Sequence, residues 1–308
     1  MGILAPIEWV VAWIVYGSHH VLTFLGMPDG PGLAWVLSIV MLTVIIRAAM
    51  IPLFVRQIKA QRGMAAIQPQ MQAIQKKYKD KKDPDSRAAM SRETVALYKE
   101  HGTNPMSSCV PALLQAPFFF ALFRVLNAIL PIASGERDSI GPITQPIAAD
   151  LANSSIFGAN LSASFLGTES ISSRVLIAIL ILLMSASMFY TQRQMMSKNM
   201  APTTAEGPMA GMQKMMLYGM PVIFAVSGVN FPLGVLIYWT ATNFWTMGQQ
   251  AYSIRRNPTP GSKAEAEMKE RRAAKAAAKG VVLEPEPVAV AVRGQRQKPQ
   301  RKNRSKKG

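Results

Sequence analysis

The sequence predicts an all-α polytopic membrane protein with five core transmembrane helices, and three observations carry that prediction. The chain is 49% hydrophobic and only 17% charged, an odd balance for a soluble protein. Its long apolar runs alternate with segments rich in Lys and Arg, and about 20 apolar residues rising roughly 1.5 Å each cross a hydrocarbon core of about 30 Å. The 34 Lys+Arg and 17 Asp+Glu are unevenly placed, so basic segments mark the cytoplasmic side.

The first firm span covers residues 33–55, in which Ser38, Thr43 and Arg47 interrupt an apolar run. Arg47 lies eight residues before the span's end at Val55, which puts it roughly 12 Å inside the membrane edge. A central arginine costs about 2.5–3.5 kcal/mol on insertion scales. Two readings are open. Arg47 snorkels to the surface, or it faces water or partners inside a bundle. Thr43 lies one turn away on the same face.

Residues 1–31 contain no Lys or Arg, and Glu8 and Asp29 are their only charged side chains. A secretory signal peptide needs a basic start, so none is expected here. Residues 7–25 mix Trp9, Trp13, Tyr16, His19 and His20 into an apolar run. These residue types favour the headgroup region, which predicts an extracytoplasmic interfacial helix, with a crossing helix as the alternative. Gly and Pro at 27–32 break the run.

Residues 56–104 carry 11 Lys+Arg and 5 acids, the most basic loop between spans, and belong in the cytoplasm. Ile67, Met71, Ile74 and Tyr78 repeat at helical spacing, as do Met90, Thr94 and Leu97. Asp83 to Ser86 separates the two patterns. The expected structure is an antiparallel helical hairpin with narrow apolar seams.

The second span, residues 110–131, runs outward with Pro111, Gln115 and Pro117 inside it and a second arginine, Arg124. Depth alone does not rank Arg124 below Arg47. Residues 132–173 hold four acids and Arg137 and suit an outer loop with short helices. The third span, 174–194, runs inward to a flexible loop around 197–212. The fourth, 214–229, is short and opens on methionines. The fifth, 233–252, returns inward. On it Trp239, Asn243, Thr246 and Gln250 share one face. That stripe serves either interhelical hydrogen bonding or an internal polar surface.

From Arg255 the tail has 16 Lys+Arg against 5 acids. Ser262 and Glu265 form a capping-box pattern, and Gly280 is a plausible helix stop. Beyond it the composition predicts disorder. Such a basic tail can bind anionic lipid or the phosphates of ribosomal RNA. The single cysteine, Cys109, excludes an internal disulfide, and His19, His20 and His101 are too scattered for a metal site. No nucleophile–base pair or phosphate loop appears, so neither catalysis nor a cofactor is expected.

Three segments carry a family resemblance: LTVIIRAAMIPLFVRQIKAQRGMAAIQPQMQAIQKKYK (42–79), NPMSSCVPALLQAPFFFALFRVL (104–126) and MPVIFAVSGVNFPLGVLIYWTATNFWTMGQQ (220–250). Together they resemble the YidC-type membrane protein insertases, in particular the Gram-positive members without a large extracytoplasmic domain. The resemblance implies an insertase core over residues 32–256, preceded by the interfacial segment 1–31 and followed by a cytoplasmic tail over 257–308. It also implies a hydrophilic groove open to cytoplasm and lipid but closed outside, with Arg47 pointing into it. Thr43, Gln115, Trp239 and Asn243 are the expected groove neighbours. The implied partners are nascent membrane proteins, the ribosome, a Sec-type translocon, the signal-recognition machinery and membrane lipid, in a bacterial cell membrane with the N-terminus outside. The alternative is a small-solute or ion transporter with Arg47 as counter-ion. It would want acids within the spans for coupling, and the five spans contain none.

Overall fold

The structure, a computed structural model, describes residues 3–81, 83–104, 110–199, 211 and 213–280. Among the described residues the chain is all-α apart from one two-stranded ribbon. Of the described residues, those up to Met268 form one compact unit and those from Lys269 to Gly280 belong to another.

Helix α1 (Ala5–Phe24) buries Glu8, Val11, Ala12, Val15, Ser18 and His19, which recur every three or four residues and form one stripe. The stripe packs on α2 (Leu33–Ala49) and α6 (Val110–Ala133). His19 stacks on Trp35 of α2, with ring centroids 3.7 Å apart and planes at 16°. The opposite face leaves Trp9 and Trp13 half-exposed.

The expected span over 33–55 is not one straight helix. It ends at Ala49, and α3 (Ile51–Ala66) leaves at 52° and runs well past Val55. Pro52 is the cause. It has no N–H to give the Ala48 carbonyl, and its ring is tolerated only in the first turn of a new helix. Helices α4 (Gln68–Tyr78) and α5 (Pro84–Glu100) then form the antiparallel hairpin. Ile67, Met71 and Leu97 make its small core, and Lys77 pairs with Glu93 across the outside at 2.5 Å. Asp83 caps α5 by accepting from the Ser86 amide at 2.8 Å.

Helix α6 keeps Pro117 in its interior. The segment after it builds α7 (Gln145–Asn153) and a ribbon, β1 (Ser155–Ile156) with β2 (Ala159–Asn160). Phe157 and Gly158 turn the ribbon with φ of 49° and 79°, the conformation of a two-residue hairpin turn that favours glycine. This segment caps the bundle. The carbonyls of Ala163 and Leu161 accept the free amides of Leu233 and Gly234 at 2.8 and 2.9 Å. Those two amides open α10 (Leu233–Arg256), and the first-turn donors of a helix otherwise have no partner. Ile143, Ala148, Leu151 and Leu161 are buried in the main core.

Helix α8 (Ile171–Asn199) is the longest. The expected fourth span begins as a π-helical turn, Met215–Gly219, and continues as α9 (Met220–Gly228). Pro221 explains the wide turn, since an α-helical path would press its ring on the carbonyl four residues back. Helix α10 packs on α2, α6 and α8. Among the described residues two helices, Leu113–Ala133 and Ile171–Asn199, are long and apolar enough to cross a membrane alone, and the bent pair α2–α3 makes a third if it counts as one span. Helix α10 falls short by composition, because Thr, Asn and Gln dilute its apolar residues. Helix α11 (Lys263–Ala277) starts at the expected cap, where the Glu265 amide meets Ser262 Oγ at 3.3 Å. The Glu265 carboxylate accepts from the Gly261 amide at 2.7 Å.

Candidate functional site: the polar cavity beside Arg47

The bend at Met50 decides where Arg47 lies. The residue occupies the last turn of α2, and α3 swings away beneath it. A cavity of about 220 Å³ results, lined by Arg47 and Gln57 on one side and by Thr246, Gln249, Gln250 and Ser253 of α10 on the other. Asn199, at the end of α8, closes a corner by accepting from the Thr259 amide at 2.9 Å.

The lining holds one more cation, Arg62, and no acid. Among the described residues Arg47 Nε has no hydrogen-bond acceptor and no carboxylate pairs with the guanidinium. Gln250 Oε1 is likewise sheltered without a donor. Buried polar atoms left without partners cost about 1–3 kcal/mol each, more when charged. A cavity bordered by such atoms favours water or a polar guest over an apolar one. With a guanidinium at its head, it suits a carboxylate best.

Gln115, from α6, donates its amide to the Tyr238 hydroxyl on α10. Tyr238 in turn lies close enough to Arg47 to interact with it electrostatically. Gln115 is thus linked to Arg47 only through Tyr238, and neither Gln115 nor Tyr238 lines the cavity.

The other three expected neighbours are engaged elsewhere. Thr43 is buried and gives its hydroxyl back to the Ile39 carbonyl at 3.3 Å. Trp239 joins an aromatic cluster, 4.7 Å from Phe119 and 4.4 Å from Phe224 between ring centroids. Asn243 donates to the Met184 carbonyl of α8 at 3.1 Å, an interhelical clasp. Only the later half of the predicted stripe, Thr246 and Gln250, reaches the cavity. Gln57, Gln249 and Ser253 were not singled out from the sequence. The signal for Gln249 and Ser253 was their place on α10 near Thr246 and Gln250, at helical spacing. Gln57 lies beyond the bend and gave no signal.

Arg124, unranked by depth, pairs instead with Glu8 of α1, Nε to Oε1 at 2.9 Å. The Glu8 carboxylate is nearly fully buried while Arg124 reaches solvent. Among the described residues no group of three His, Cys, Asp or Glu side chains could hold a metal ion.

The chain has relatives among known proteins. The model of the 60Kd inner membrane protein family matches residues 28–260. The membrane protein insertase YidC of Streptomyces avermitilis is 50% identical over 270 residues, 85% of this chain and 60% of its own length. That of Bifidobacterium longum is 38% identical over 87% of this chain and 80% of its own. A solved YidC insertase structure overlaps 79% of this chain and 46% of its own, at 23% identity and a TM-score of 0.47. The chain thus spans about three-fifths of the Streptomyces relative and four-fifths of the Bifidobacterium one. The family match covers α2 to α10, including Arg47 and every cavity residue, and the chain belongs to the 60Kd inner membrane protein family, that of the YidC-type insertases.

Proposed function

We propose that this protein is a membrane protein insertase that helps transmembrane segments of nascent proteins enter the bacterial cell membrane. The observation that carries the reading is the Arg47 cavity, whose lining holds two arginines, Arg47 and Arg62, beside polar side chains, with no acid among the described residues to neutralise Arg47. A guest bearing a carboxylate or polar segment supplies the missing partner. The charge lowers the cost of bringing that segment partway across, and the substrate's apolar helix then gains by entering lipid. The chemistry is binding and transfer between solvents, with no bond made or broken.

In this reading five core helical segments surround the groove, with the bent α2–α3 pair as the first and the short π-to-α segment as the fourth. Segment 132–173 lies outside and closes that end. The hairpin 56–104 and the tail 257–308 lie in the cytoplasm. Helix α1 lies along the outer interface. In support, Trp9 and Trp13 near its start stand beside Gly141, while Asp150 acts on His19 near its end, so both ends adjoin the same outer segment. Impermeant labelling of a cysteine placed at Asp85, with Cys109 replaced by Ser, tests the orientation. Labelling from outside would overturn it.

The basic tail from Arg255 is assigned to ribosome contact through phosphates, in concert with a Sec-type channel and the signal-recognition machinery. Its larger part, 281–308, lies outside the described residues. Truncation at Arg255 should weaken co-sedimentation of the detergent-solubilised protein with ribosomes, and binding should fall steeply with salt. The function itself is tested by reconstituting the pure protein in liposomes with a small single-span substrate. Insertion above that of protein-free liposomes is expected. Solute flux without insertion would favour a transporter.

A further inference from the structure

A second cavity adjoins the polar one. It is a cleft of about 550 Å³ between α3 and α10, and Phe54, Ile58, Arg62, Gln249 and Asn257 line both cavities. Its lining is graded along both helices. One end is apolar, with Ile51, Phe54, Val55, Phe244 and Trp245. The other end carries Lys59 and Arg62, one turn apart on α3, with Tyr252 and Asn257 of the α10 end opposite. From Ile51 to Arg62 the helix rises roughly 16 Å. Lys59 and Arg62 are exposed, and no carboxylate among the described residues forms an ion pair with either. The lining contains no acid. The indole N–H of Trp245 has no acceptor among the described residues.

We infer that this cleft is a binding site for one anionic phospholipid, with its phosphate on Lys59 and Arg62 and an acyl chain against Phe54, Val55 and Phe244. Three features select that occupant. The gradient from apolar to basic matches a lipid whose headgroup faces the side where α3 becomes charged. Two cations without an acid favour a negative headgroup over a zwitterionic one. The cleft is only roughly 16 Å long, which suits one acyl chain lying along it and is about half the length of a spanning helix. The lipid would lie against the outer side of the wall that Phe54 and Gln249 give the Arg47 cavity, and so would define that cavity's boundary with the bilayer.

The test is native mass spectrometry of the full chain in detergent, titrated with dioleoylphosphatidylglycerol or dioleoylphosphatidylcholine. The wild type should retain one phosphatidylglycerol in preference to phosphatidylcholine. Lys59→Gln/Arg62→Gln should weaken phosphatidylglycerol retention on the order of tenfold, whereas Arg87→Gln/Arg92→Gln, which removes the same charge from α5, should not. A Cβ at Gly248 meets nothing within 4 Å, so Gly248→Leu is accommodated in α10 and fills the cleft without touching charge. It should lower retention as well. Equal loss in both charge variants would mean diffuse attraction by a basic protein, and undiminished retention in Gly248→Leu would mean that no chain enters the cleft. Either result overturns the site, and neither bears on whether the protein inserts substrates.

Discussion

Gln115 of α6 and Tyr238 of α10 are joined by a hydrogen bond deep in the bundle, beside Arg47. Tyr238 is 2% exposed, so its hydroxyl has little access to bulk water. Tyr238→Phe should cost about 1–3 kcal/mol by leaving the Gln115 amide without its acceptor. Gln115→Leu/Tyr238→Phe should cost less than the sum of the single changes, because each single variant already loses the shared bond. Thermal unfolding of the four proteins in one detergent checks this, and strict additivity would contradict the pairing.

The Glu8–Arg124 pair makes an asymmetric prediction. Arg124→Gln strands a buried carboxylate, whereas Glu8→Gln leaves an arginine that reaches water. The first should therefore destabilise more than the second, by about 1–3 kcal/mol, and the double variant should recover part of the loss. The reading is the unfolding midpoint of each, with proteolysis within α1 as a local probe. Equal midpoints would mean that the pair does not hold α1 in place.

Two glycines of α10 should respond with opposite signs. A Cβ on Gly234 would come within 3.0 Å of Leu126 Cδ1 and 3.3 Å of Ile39 Cδ1, so Gly234→Ala should destabilise by about 1–3 kcal/mol. Gly248 opens on free space, and Gly248→Ala should stabilise by roughly 0.5–1 kcal/mol through helix propensity. Melting curves of both variants decide it.

The hairpin should loosen in acid. The hydrogen bond from Lys77, and then that from Tyr78, holds the Glu93 carboxyl below its ordinary range. The Ser86 amide does the same for Asp83. A carboxyl depressed in the folded state contributes stability above its unfolded pKa and loses it as pH falls through the folded one. Hydrogen exchange over 84–100, corrected for intrinsic rate, should therefore lose protection on acidification. Glu93→Gln should blunt that response, and an unchanged profile would refute the linkage.

Much of this was legible in the sequence, where one physical effect dominated. Long apolar runs located most helices, and the Ile67–Met71 and Leu97 spacing located the hairpin seam. The bend at Pro52 is not legible in hydropathy, because the apolar run continues past it and hydropathy is blind to direction. The stripe on α10 was legible as polar, but not what each member meets. Asn243 satisfies the Met184 carbonyl, while Gln250, two turns on, borders the cavity. Glu8 and Arg124 are too far apart in sequence for any local pattern to pair them. The length of segment 132–173 makes sense only once Leu161 and Ala163 are seen capping α10.

The central claim is that the Arg47 charge draws an acidic or polar segment of the substrate into the cavity. It is tested most directly by insertion of two matched single-span substrates into proteoliposomes, one with two acids in its translocated tail and one with none. Arg47→Lys should retain much of the activity, and Arg47→Ala should slow the acidic substrate most. An inside-negative potential should assist export of the tail by about 2.3 kcal/mol per charge per 100 mV for a full crossing. If Arg47→Ala slows both substrates equally, or neither, charge attraction is wrong and Arg47 is a structural residue.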